Sequence, residues 1–90
     1  MNLLNDVSFL KRAKNRIKVF KALDGTLMPS EIVIKIYGKA SNTYFNIISR
    51  SLSELKEAKL VKVVNPQSKT GRLYVLTEKG KKIRELLKNI

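Results

Sequence analysis

Residues 41–77 read SNTYFNIISRSLSELKEAKLVKVVNPQSKTGRLYVLT, and the fold turns on how this stretch divides. Ser41-Asn42-Thr43 offers the hydroxyl and amide oxygens that accept from free N–H groups at a helix start. Phe45, Ile48, Leu52 and Leu55 follow at steps of three, four and three, one apolar stripe of a helix running to about Lys59. The period then changes. Val61-Lys62-Val63-Val64-Asn65 and Arg72-Leu73-Tyr74-Val75-Leu76-Thr77 are β-rich runs, and Pro66-Gln67-Ser68-Lys69-Thr70-Gly71 between them is a polar loop, so the pair reads as a hairpin.

Upstream, Phe9, Leu10, Ala13, Ile17 and Phe20 recur at helical steps, predicting one amphipathic helix from about Asp6 to Leu23, stopped by Gly25. Thr26-Leu27-Met28 is a short apolar connector or strand stub. Pro29-Ser30-Glu31 opens a second helix, with proline at the first helical position and Glu31 near the positive end of the dipole. The β-branched run Ile32-Val33-Ile34-Lys35-Ile36-Tyr37 also fits a strand, but Gly38 supplies a helix C-cap and decides for helix. Downstream, Thr77 caps a last helix from Glu78 to about Asn89, with Ile83, Leu86, Leu87 and Ile90 on one side. Gly80 counts among the punctuation residues, with Gly25, Pro29, Gly38, Pro66 and Gly71. The order is helix, stub, helix, helix, strand, loop, strand, helix: one α+β, mostly helical domain over residues 1–90.

Charge is the compositional outlier. Nineteen Lys and Arg against seven Asp and Glu leave +12 on 90 residues, a balance usually tolerated because the partner is a polyanion. There is no Cys, hence no disulfide, thiolate metal site or nucleophilic thiol, and no His, the commonest general base and metal ligand. The carboxylates read as helix support, Glu31 with Lys35 and Glu78 with Lys82, and no two suggest a catalytic pair. No enzyme, cofactor or metal is expected. No apolar run approaches the ~20 residues that span a bilayer, and residues 1–6 lack the basic lead of a secretory signal. The expected location is cytoplasmic, with the nucleoid. A membrane-surface role fits least, because the basic helices lack a bulky aromatic face.

Pro29-Ser30-Glu31-Ile32 opening one helix, Ser49-Arg50 within the next, Leu52 to Leu60 leading into a strand, and Leu76-Thr77-Glu78-Lys79-Gly80 leading out of the hairpin form an ordered set. In that order, over roughly residues 9–88, the chain resembles a winged helix-turn-helix domain of the MarR-like and ArsR-like transcription regulators. It departs from that pattern at Met28, where a capping Ser or Thr is usual, at Val33, where a smaller residue is, and at Lys59, where glycine is. The resemblance implies a three-helix core with a β-hairpin wing and a C-terminal helix. It implies a sequence-specific, double-stranded DNA-binding transcription regulator, with the helix at about 41–59 in the major groove. The wing at about 65–72 would then lie on an adjacent minor groove or its phosphates. Terminal helices of such domains often build a two-fold homodimer.

The residues support these roles chemically. The N-terminal half of the third helix presents Ser41, Asn42, Thr43, Asn46, Ile47 and Arg50, whereas Glu54 and Glu57 in its C-terminal half repel phosphate. Asn46 suits adenine, Arg50 reaches guanine or phosphate, and Ile47 meets a thymine methyl or packs on the second helix. In the loop, Lys69, Thr70 and Arg72, with Ser68, are donors for a duplex backbone or minor groove. Lys11, Lys14, Lys18 and Lys21, flanked by Arg12 and Arg16, either form a solvated face or extend the phosphate footprint. Leu3, Leu4, Ile83, Leu87 and Ile90 are the candidate dimer strip, unless both ends close over the monomer's own core. A small-molecule effector, if any, would use the dimer interface. The competing readings are a winged-helix protein-interaction module in a larger assembly and a nonspecific nucleic-acid or chromatin binder.

Overall fold

A straight helix over residues 6–23 cannot bury both halves of its apolar set. Leu10 and Val19 are nine residues apart, which places them about 180° apart around a helix, yet both are fully buried. The computed structural model, which describes residues 3–88 and the side chains of residues 4–88, resolves the conflict by breaking the helix. The single helix expected there is two, α1 (Leu3–Lys11) and α2 (Lys14–Ala22). Ala13 between them is extended, at φ −135° and ψ 116°. Arg16 fixes the break. Its guanidinium lies 3.8 Å above the Phe9 ring, donates to the Phe9 carbonyl at the end of α1, and pairs with Glu54 at 3.4 Å. A cation at a helix C-terminus answers carbonyls that have no partner within the helix.

α3 (Pro29–Tyr37) is helical despite its β-branched run. The Met28 N–H donates to the Glu31 carboxylate at 2.8 Å, and Gly38 closes the helix at φ 79°, its N–H donating to the Ile34 carbonyl. α4 (Asn42–Glu57) begins where expected, with Ser41 Oγ accepting from the Tyr44 N–H at 3.1 Å. It ends two residues before Lys59. Lys59 adopts φ 63°, and the Lys59 and Leu60 N–H groups donate to the Lys56 and Leu55 carbonyls, each at 3.0 Å. That paired closure normally recruits glycine.

β1 (Val61–Val63) and β2 (Tyr74–Leu76) form an antiparallel hairpin in which Val61 faces Leu76 and Val63 faces Tyr74. Leu27 adds a one-residue bridge on the far side of β2, exchanging two backbone bonds with Tyr74 at 3.0 and 2.8 Å. The strands are shorter than the β-rich runs because Asn65 turns its amide into the loop. Asn65 Oδ1 accepts from the Leu73 N–H at 2.7 Å, and Nδ2 donates to the Gly71 carbonyl at 3.2 Å.

α5 (Glu78–Lys88) is capped by Thr77, whose Oγ1 accepts from the Gly80 N–H and donates to the Lys59 carbonyl. Gly80 is not punctuation, as the sequence suggested. It lies inside α5, and a Cβ there would sit 2.2 Å from the Leu60 carbonyl oxygen. Its absence of side chain lets α5 dock on the α4–β1 junction. Leu10, Phe20, Leu23, Ile32, Ile48, Leu52, Leu55, Leu60 and Ile83 fill one shared core. The described residues therefore form five helices and a two-stranded hairpin, α+β and mostly helical.

Candidate nucleic-acid interface

α4 sorts its residues sharply. Ile48, Ser51, Leu52 and Leu55 are buried, and Asn42, Thr43, Asn46 and Arg50 are exposed on the side away from them. Ile47 is half-buried. Ser41 is half-buried too, and its hydroxyl oxygen already serves as the helix cap. Across the α3–α4 turn, Tyr37 and Tyr44 stack face to face, with centroids 4.0 Å apart and planes within 3°. This clamp was missed in the sequence, although two tyrosines flanking the Gly38-Lys39-Ala40-Ser41 turn were its signal.

The exposed side of α4 faces the start of α2 across a groove of about 500 Å³. Lys14 and Asn15 line it from α2, and Thr43, Asn46, Ile47 and Arg50 line it from α4. Glu54 lines it as well, but Arg16 pairs with it, so the carboxylate among the described lining residues is neutralised. The basic residues of the first predicted helix thus part company. Lys14 enters the groove, Arg16 is held inside the fold, and Lys11, Arg12, Lys18 and Lys21 are exposed elsewhere.

In the hairpin loop, Lys69, Thr70 and Arg72 are all exposed. Arg72 is not wholly free, because its Nε donates to the Ser68 carbonyl at 2.9 Å and ties the loop across itself. Gly71 holds φ 65° at the tip, a conformation that suits a residue without Cβ. Lys69 and Thr70 make no side-chain hydrogen bond or ion pair among the described residues. Asn65, which orders the whole loop, was not singled out in the sequence.

The candidate dimer strip is divided by burial. Ile83 is fully buried in the chain's own core, which removes it from the surface, and Leu87 is half-buried. Leu4 is 72% exposed and Leu86 39%. The Leu3 side chain and all of Ile90 lie outside the described residues.

A second hollow, about 420 Å³, lies where Leu23, Asp24 and Gly25 meet Val75, Leu76 and the outer face of α5. Its cations are engaged within the fold. Arg84 donates to the Leu23 carbonyl at 2.7 Å and the Lys21 carbonyl at 3.3 Å, Lys81 pairs with Glu78 and Lys88 with Glu85. Nearby, Lys35 donates to Asp24 at 2.8 Å and holds its carboxyl below the ordinary carboxylate range. Among the described residues no three acidic side chains are grouped to hold a metal ion, and no helix is long and apolar enough to cross a membrane. Comparison with family models, curated proteins and solved structures finds no match to this chain.

Proposed function

We propose that this chain is a winged helix-turn-helix protein that binds double-stranded DNA and regulates transcription. In this reading α3 and α4 are the helix-turn-helix, held at a set angle by the Tyr37–Tyr44 stack, and the β1–β2 loop is the wing. One observation carries it. α4 exposes Thr43 and Asn46 in its N-terminal half and Arg50 at its middle, and neither Asn46 nor Arg50 makes a side-chain hydrogen bond or ion pair among the described residues. A helix with exposed polar side chains unused by the fold, on a chain of +12, suits insertion into a major groove. Asn46 would read adenine, and Lys69 and Thr70 would meet phosphates beside the wing.

Titration of a duplex against salt tests the reading. Neutralisation of about 6 phosphates gives a slope of log K against log salt near −5. A slope near zero removes DNA and favours a protein-docking module. A homodimer would join through Leu86 and Leu87 of α5, since Ile83 belongs to the core. It would set two α4 helices about 34 Å apart, one turn of DNA. Sedimentation at micromolar concentration reads that mass directly.

A further inference from the structure

The groove between α2 and α4 has two cations, one on each wall, that the fold does not use. Lys14 on α2 and Arg50 on α4 are exposed and make no hydrogen bond or ion pair among the described residues. The remaining charged pair in the lining, Arg16 with Glu54, is satisfied internally and leaves no net charge there. Asn15, Thr43 and Asn46 add exposed amides and a hydroxyl to the same walls. Ala13 and Ile47 supply apolar surface, which suits the sugar portion of a nucleic-acid strand. The groove is an open trough of about 500 Å³ with one unused cation on each wall.

Resting on the duplex-binding reading above, we propose that this groove seats one sugar-phosphate strand of the bound duplex, with Lys14 and Arg50 on its phosphates and Asn15 and Thr43 donating beside them. Two consequences follow for the interface. The start of α2 becomes a third contact element beside α4 and the wing. Arg50, which the sequence alone leaves open between guanine and phosphate, becomes a backbone contact, and base reading falls to Asn46.

Fluorescence anisotropy with a labelled mixed-sequence duplex of roughly two helical turns, titrated at several salt concentrations, tests this. The proteins are wild type, Lys14→Ala, Lys14→Gln, Arg50→Ala, the Lys14→Ala/Arg50→Ala double variant, Lys69→Ala and Lys18→Ala, the last an exposed α2 lysine outside the groove. Lys14→Ala and Arg50→Ala should each weaken binding roughly eightfold at about 0.1 M salt and flatten the slope by ~0.9, and the double variant by ~1.8. Lys18→Ala should stay within about twofold of wild type, its charge being screened from a strand it does not touch. Lys14→Gln, which keeps the stem, should match Lys14→Ala.

If Lys14→Ala and Lys14→Gln both behave like Lys18→Ala while Lys69→Ala still weakens binding, the groove proposal falls and duplex binding stands. A wild-type protein without salt-dependent duplex binding removes both. Tighter binding of a single strand than of the duplex overturns the proposal in favour of a lone-strand groove.

Discussion

At its C-terminus α2 draws in two cations from other helices, while at its N-terminus it leaves Lys14 facing outward. Lys35 of α3 donates to the Ala22 carbonyl at 2.8 Å, and Arg84 of α5 donates to the carbonyls of Lys21 and Leu23. The negative end of the helix dipole and its unpaired carbonyls make that end a sink for positive charge. The other end begins with Lys14, has no acidic residue in its first turn, and receives no side-chain cap from Ala13. Positive charge there gains nothing from the helix, and Lys14 opens on the groove opposite Arg50. The net charge of +12 is therefore two populations. One is structural and makes up the joints between helices; the other is exposed on the surface.

Removing a structural cation should cost stability and leave duplex binding alone. Arg84→Ala deletes two charge-assisted bonds to carbonyls at the end of α2, and urea unfolding should show a loss of about 2 kcal/mol. Below its melting range the variant should keep the wild-type salt slope. A flattened slope at unchanged stability would move Arg84 into the second population.

Lys59 sharpens the contrast from the end of α4, where a lysine closes the helix through its backbone. Its φ of 63° strains a side-chain-bearing residue, so Lys59→Gly should stabilise the fold by about 1 kcal/mol. Should Lys59→Gly destabilise it, the lysine charge at that helix end outweighs the backbone strain.

Asp24 carries the smallest effect, and one of sign. Lys35 lowers its carboxyl below the ordinary value of 3.8. A carboxyl lowered in the folded state stabilises above its unfolded pKa and loses that contribution as pH falls through the folded one. Urea midpoints at about pH 5 and about pH 3 should therefore drop less in Asp24→Asn than in wild type. An equal drop would mean that the Asp24 carboxyl binds protons alike in the folded and unfolded chain, against the Lys35 pairing.

What the sequence disclosed is local. Pro29-Ser30-Glu31, Ser41, Gly38 and the Phe45, Ile48, Leu52, Leu55 stripe each act within a turn or two of chain, and the helices they mark are present. What it withheld depends on residues distant in sequence. The break at Arg12-Ala13 follows from a core that must take both Leu10 and Val19, with Arg16 reaching Glu54 across 38 positions. Gly80 matters because of the Leu60 carbonyl, and Ile83 left the candidate dimer strip because the core claimed it. Arg72 looked free until the loop closed on Ser68. The exposed face of α4 was legible from helical spacing; its facing wall was not, since nothing local brings residues 13–16 beside residues 43–54.

The most direct test of base reading by α4 is selection of bound duplexes from a random pool at near-physiological salt, run side by side with wild type and Asn46→Ala. Wild type should enrich a defined motif, and Asn46→Ala should lose preference at one base position at a cost of roughly 1–3 kcal/mol on the wild-type site. No motif enriched above the starting pool by wild type would contradict it.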